Sequence, residues 1–258
     1  MKKKILLHTV IYSFTFSVLF IPFSKAGSNG TGFASMDRVY MAEATPVEKD
    51  STISETDAKK LFISSLYDSL QLIKIGLSEE VLTYAYTGYQ NLLNKGMINE
   101  PGILSIVDFS QSSTKKRLYI IDMNSFKLLN HTYVAHGKNT GQEFATRFSN
   151  TPESLQSSLG FYITRNTYFG KHGLSLKLEG KDKGFNDKAM ERAIVLHGSA
   201  YSDENFVKAR GYLGRSWGCP AVPEKEKTKI INTIKDGTCL FIYHPTKSYL
   251  HGSTVLNG

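Results

Sequence analysis

Apolar residues change their spacing twice along the chain, and each change marks a different kind of structure. Over residues 5–23 they run without a single charge, too continuous for either face of an amphipathic element. Residues 27–53 mix Gly, Ser, Asn, Thr and charged side chains with no sustained period, which predicts a linker. Helical spacing begins after Thr56-Asp57, good N-cap types, with Leu61, Phe62, Leu66, Leu70 and Ile73 recurring until Gly76. A second helix is predicted from a Ser78 N-cap, with Glu79 and Glu80 in its first turn, where carboxylates meet the positive end of the helix dipole. Its apolar face is Val81, Leu82, Ala85, Tyr89, Leu92 and Leu93, and Gly96 ends it. Two helices of this size cannot bury their faces alone, so both are expected to pack on the C-terminal part of the chain.

From Ile103 the pattern shortens into runs rich in β-branched and aromatic residues. Strands are predicted over 103–107, 117–123, 128–136, 160–164, 174–178, 192–197 and 238–244, with Asn124-Ser125 turning the second into the third as a hairpin. One late helix fits 224–235, with Pro223 at its start, Ile230, Ile231 and Ile234 inward, and Gly237 as its stop. The chain is therefore read as mainly β, with a helical N-terminal pair over 56–100 and a mostly-β domain over 101–248.

The first apolar run takes its meaning from its flanks. Lys2, Lys3 and Lys4 precede it, and Ser24 and Ala26 follow Pro22 before a polar stretch, which predicts an export signal over 1–26 and a linker over 27–55. A retained anchor is the competing reading, since the run is close to the roughly 20 residues that span a bilayer. Cleavage would remove Lys2, Lys3, Lys4 and Lys25 and lower the formal charge from +8 to +4. The remaining Lys and Arg are scattered, so there is no nucleic-acid footprint. No second long apolar run calls for a membrane after cleavage, and the mature chain is read as a secreted monomer of the periplasm or cell envelope.

Two segments carry candidate chemistry. In Ala193-Ile194-Val195-Leu196-His197-Gly198 an apolar strand delivers a histidine to its end. In Gly214-Arg215-Ser216-Trp217-Gly218-Cys219-Pro220 a turn-rich stretch presents a cysteine ahead of a helix. A free thiol is mostly protonated at neutral pH, and a neighbouring imidazole raises its thiolate fraction. Gly218 allows backbone amides to approach a reacting carbonyl, as an oxyanion site requires. Taken alone, the pairing leaves a structural, strand-end role for His197 equally open.

The order of several motifs adds a resemblance. His197-Gly198 followed by Ser216-Trp217-Gly218-Cys219 is similar to the signature of the L,D-transpeptidase (YkuD-like) family. Thr151-Pro152 with Gly160-Phe161-Tyr162, Leu118 to Asp122, Val134-Ala135-His136-Gly137 and Gly170-Lys171-His172-Gly173-Leu174 resemble further pieces of its murein branch. The resemblance implies a β-sandwich catalytic domain with a short helix after the cysteine. It also implies acyl transfer on peptidoglycan stem tetrapeptides without a cofactor or metal. On that resemblance Cys219 is the nucleophile, His197 the base, Gly218 part of the oxyanion site, and the Gly198 carbonyl the orienter of the imidazole. Ser216, Arg215, Trp217, His136, His172 and Tyr162 are expected at the substrate. Two places depart from the family pattern: Trp217 and Pro220 stand where a second His and an Arg are usual, and His197 and Cys219 are 22 positions apart.

Rival readings stay open. The same site can serve hydrolysis, as an L,D-carboxypeptidase, or the domain can bind cell wall without catalysis. Cys239 alternates with Phe241 and Tyr243 and is read as a small core residue, a Cys219–Cys239 disulfide being the alternative. His136, His172 and His197 lack the close spacing of zinc ligands.

Overall fold

The computed structural model describes residues 54–258. The export signal and most of the linker lie outside the described residues. The first helix, α1 (Glu55–Ser69), starts two residues earlier than predicted, because Ser54 Oγ accepts the Asp57 N–H at 3.1 Å. It also ends earlier: Gln71 turns left-handed, and Leu72–Ile75 continue as a 3₁₀ turn up to Gly76. The second helix, α2 (Glu79–Asn94), is capped by Ser78, whose Oγ accepts the Val81 N–H at 3.3 Å. Its buried face holds Val81, Leu82, Ala85, Gly88, Tyr89 and Leu92.

Eight strands come next, in a single sheet: β1 (Ile103–Asp108), β2 (Leu118–Asp122), β3 (Lys127–Thr132), β4 (Gly160–Gly170), β5 (Gly173–Gly180), β6 (Val195–Ser199), β7 (Ala221–Pro223) and β8 (Cys239–Tyr243). Their order is β3-β2-β1-β8-β4-β5-β6-β7. The last strand in sequence therefore lies in the middle of the sheet, parallel to β1 and antiparallel to β4. The β2–β3 hairpin turns where Asn124-Ser125 predicts it, with Asp122 Oδ1 accepting the N–H groups of both residues.

Helix α2 packs on the sheet through β1 and β8, and α1 packs on α2. Leu82, Leu92, Leu104, Ile106, Phe161 and Phe241 are fully or almost fully buried in one core. Each such side chain contributes roughly 1.5–3 kcal/mol on burial. Helix and sheet approach closely at Gly88, where a Cβ would lie 2.1 Å from Phe161 Cζ. Phe161 in turn stacks on Phe241 with centroids 4.1 Å apart.

Three further elements escape the sequence pattern. Helix α3 (Glu204–Arg210) lies between β6 and β7, and β7 itself is only three residues long. After helix α4 (Lys227–Ile234) and β8, a last helix, α5 (Lys247–Gly252), leads to Val255 and Leu256, both buried in the main core. Strand β4 runs six residues beyond its predicted end, with a bulge between Thr164 and Thr167, into a hairpin with β5 whose outer half is mostly exposed. Among the described residues no helix is long and apolar enough to cross a membrane.

Candidate active site

The strand carrying His197 is held from both sides. Register pairs His197 with Ser175 of β5 and with Ala221 of β7, so Cys219 lies two residues before the neighbour of His197. Beyond β7 the chain at Ala135 adds an antiparallel bridge, with Ala135 N–H donating to Ala221 O at 2.8 Å and Ala221 N–H returning to Ala135 O at 3.2 Å. These contacts fix the short strand, and with it the turn that ends in the cysteine.

That turn is built by Ser216 and Gly218. Ser216 Oγ donates to Cys219 O at 2.6 Å and accepts the Gly218 N–H at 3.1 Å. Gly218 has φ +125°, and a Cβ there would lie 2.8 Å from Gln156 O, so no other residue fits without moving the loop beneath. The Gly218 N–H expected at the oxyanion is thus taken by Ser216. The Cys219 N–H has no partner among the described residues and stays open.

The thiol sits against the start of β6. Val195 N–H points to Sγ at 3.5 Å, and Sγ lies 3.8 Å from Ala193 O. Ala193 adopts φ +52°, an uncommon left-handed conformation for a residue with a Cβ, where the chain enters the strand. Burial pushes the Cys219 thiol above its ordinary value, opposed by the Val195 N–H and the Arg192 charge. The His197 Nδ1 lies 3.0 Å from Gly198 O. A carbonyl only accepts, so Nδ1 carries the proton and Nε2 is left as a base. Burial draws this imidazole below its ordinary value, with the Gly198 bond opposing and His172 adding to the fall. At neutral pH the pair therefore rests as neutral thiol and neutral imidazole. Cys219 and Cys239 are both free thiols, and Cys239 is buried in the core.

A cleft of about 420 Å³ opens over these groups, lined by Cys219, His197, Tyr168, Lys171, Tyr201 and Trp217 among others. His172, from the β4–β5 hairpin, stacks on His197 with ring centroids 4.2 Å apart. Trp217 is 73 % exposed, and Lys171 Nζ lies 5.6 Å from the centre of its ring. Arg215 and Ser216 also line the cleft. Two residues expected there are elsewhere. Tyr162 is fully buried, and its hydroxyl donates to Ser158 O at 3.0 Å. His136 is buried beside Arg117, whose Nη2 donates to Nδ1 at 2.8 Å, while Nε2 lies 3.2 Å from Gly141 O. Both are turned from the cleft because the chain presents these faces to the interior.

Arg192 is the contributor that the motifs did not single out. Its guanidinium donates to Ser149 O at 2.7 Å, Gln156 O at 2.7 Å and Ser154 Oγ at 3.1 Å. These bonds pin the loop that carries Thr151-Pro152 beneath Gly218. The available signal was a lone cation at the head of an apolar strand ending in His197. Among the described residues no cluster of three His, Cys, Asp or Glu side chains could hold a metal ion.

His136 has a testable effect on stability. Burial, with the Arg117 charge adding to it, takes its imidazole from 6.5 down to about 3. Between those values the unfolded chain binds a proton that the native side chain refuses. This contribution is complete above pH 6.5 and is lost as the pH falls towards 3, by roughly 3 kcal/mol at pH 4. His136→Gln keeps an acceptor for Arg117 and should flatten this part of the pH dependence. Denaturant unfolding at pH 7 and pH 4 measures it, and an unchanged slope would contradict the assignment.

Comparison with known proteins singles out the same stretch of chain. The family model of the L,D-transpeptidase catalytic domain matches residues 74–243. Three solved structures are similar. An L,D-transpeptidase from Mycobacterium smegmatis is 10% identical, with 55% of this chain and 59% of that chain covered and a TM-score of 0.35. An L,D-transpeptidase from Xylanimonas cellulosilytica is 16% identical, with 65% and 81% covered and a TM-score of 0.32. The helical cell shape determining protein Pgp2 from Campylobacter jejuni is 12% identical, with 62% and 57% covered and a TM-score of 0.36. The chain thus spans about three-fifths of the length of the first and last of these. A comparison with curated proteins gives no match. The matched stretch runs from the 3₁₀ turn before α2 to the last residue of β8 and encloses the cleft and both groups that open onto it, so the chain belongs to the L,D-transpeptidase catalytic-domain family.

Proposed function

We propose that the protein is an exported L,D-transpeptidase in which Cys219 forms a thioester with a peptidoglycan stem tetrapeptide and releases its terminal D-alanine. The observation that carries this reading is the cleft of about 420 Å³ onto which Cys219 and His197 both open, with the imidazole held in its basic tautomer by Gly198 O.

Nε2 of His197 takes the thiol proton as Sγ attacks the carbonyl carbon at the L-centre of the diamino acid. The Cys219 N–H faces the developing oxyanion, and the Val195 N–H and Arg192 steady the sulfur while it is anionic. Collapse breaks the bond to D-alanine, whose nitrogen takes the proton from the imidazolium. An acceptor amine then attacks the thioester, gives its extra proton to His197, and leaves the thiol as it began. Proton transfer waits for substrate, because both resting groups are neutral. The site of action is the cell envelope, reached after removal of residues 1–26.

Purified protein whose intact mass begins at Gly27 is incubated with disaccharide-tetrapeptide, and products are followed by mass spectrometry. Cross-linked dimer together with free D-alanine is the expected result. Tripeptide without dimer would replace transfer by hydrolysis, and no reaction from folded protein would overturn the enzymatic reading.

A further inference from the structure

The segment between His197 and Cys219 is long enough to hold a 3₁₀ turn and α3, and it builds a second concavity beside the catalytic cleft. This pocket, of about 280 Å³, is lined by Lys138, Phe206, Arg210, Tyr212, Gly214 and Arg215. Three of the six are cations and none is acidic. Arg215 also lines the catalytic cleft, so the two concavities share a wall.

The cations are placed by a fixed backbone. Lys138 N–H donates to Ser216 O at 2.7 Å, and Ser216 N–H donates to His136 O at 3.0 Å, tying the segment of Lys138 to that of Arg215 through an isolated bridge. Gly214 N–H donates to Tyr201 O at 2.8 Å and anchors the return of the inserted segment. Helix α3 brings Arg210 in its last turn, while its own carboxylate, Glu204, pairs with Lys208 at 2.8 Å. Among the described residues no carboxylate forms an ion pair with Lys138, Arg210 or Arg215. Three like charges around a pocket with two aromatic walls repel one another until an anion enters, and a carboxylate accepts from guanidinium and ammonium donors together.

We propose that Lys138, Arg210 and Arg215 form a carboxylate subsite that reads the free α-carboxylate of the glutamyl residue preceding the diamino acid in the donor stem peptide. The assignment rests on the transpeptidase reading for its substrate. It goes beyond that reading in giving the inserted segment the task of selecting anionic stems. Lys138 and Arg210 act on binding and have no part in the bond-making step.

The test uses the full mature chain carrying Cys219→Ser, so that bound peptide is not turned over. Two tetrapeptides are titrated by calorimetry, one with the free glutamyl carboxylate and one with its amide. The free acid should bind about tenfold tighter or better, as expected for charge-assisted hydrogen bonds. Adding Arg210→Glu or Lys138→Glu should remove that preference by weakening the acid alone, with thermal melting confirming the fold. Equal binding of acid and amide to the parent, or equal loss of both in the charge reversals, would overturn the subsite. Release of D-alanine by the unsubstituted protein is scored separately. Its absence with the binding preference intact would fault the chemistry and leave the subsite standing.

Discussion

Replacing Cys219 by alanine is expected to lower D-alanine release from disaccharide-tetrapeptide by roughly 10⁴-fold or more, because no other group in the cleft can form the thioester. The change removes one sulfur from a half-buried position and leaves the turn intact. Ser216 Oγ bonds the backbone at residues 218 and 219, and Gly218 keeps its contact with the loop beneath. Stability should therefore move by no more than about 1 kcal/mol. Activity is followed by mass spectrometry and the fold by thermal melting. Alkylation by iodoacetamide supplies an independent control, since Cys239 is buried and Cys219 opens onto the cleft. Native protein should take one label and Cys219→Ala none. Turnover retained by the variant would remove Cys219 from the mechanism.

His197→Gln is expected to cost roughly 10²–10⁴-fold in kcat, the usual share of a positioned general base. Its sharper signature is in pH. The active form needs a neutral imidazole, and burial holds His197 below its ordinary value, so activity should persist under pH 6.5 and fall only as the pH drops through that lowered value. On the alkaline side, the raised thiol means that iodoacetamide labelling of Cys219 keeps accelerating past pH 9. His197→Gln should abolish the acid limb of kcat and leave the alkaline labelling limb in place. An acid limb that survives the substitution would assign it to another group.

The amphipathic faces, the central strands and the serine-glycine-cysteine turn were legible because each rests on local spacing or on turn chemistry. Ser78 and the Val81-to-Leu92 face required nothing beyond the helix itself, and α2 formed as the spacing predicts. The outer elements were not legible. Strand β7 has three residues and exists through pairing with β6 and with Ala135, contacts that no local period encodes. The site shows the same limit. His136 and His172 look alike in sequence, each beside a glycine. His136 is carried on the chain that brackets β7, packs against Arg117 and leaves solvent, whereas His172 sits at a hairpin tip and folds over His197. The two amides of the turn divide for a similar reason: a nearby hydroxyl, Ser216 Oγ, claims Gly218 N–H and leaves that of Cys219.

The central position of β8 sets the order of events during synthesis. Strand β1 leaves the ribosome more than a hundred residues before Cys239–Tyr243, the segment that must slot beside it. Until then the chain holds two half-sheets whose raw apolar edges, at β1 and β4, face the surroundings and invite pairing with other chains. Such a polypeptide is suited to being held extended by a chaperone rather than to folding as it emerges. A nonsense codon before residue 239 would yield a sticky fragment in place of a shortened enzyme. Strands β6 and β7 pair with each other inside the later half-sheet, so the elements that carry His197 and follow Cys219 can meet before the last strand joins the two halves.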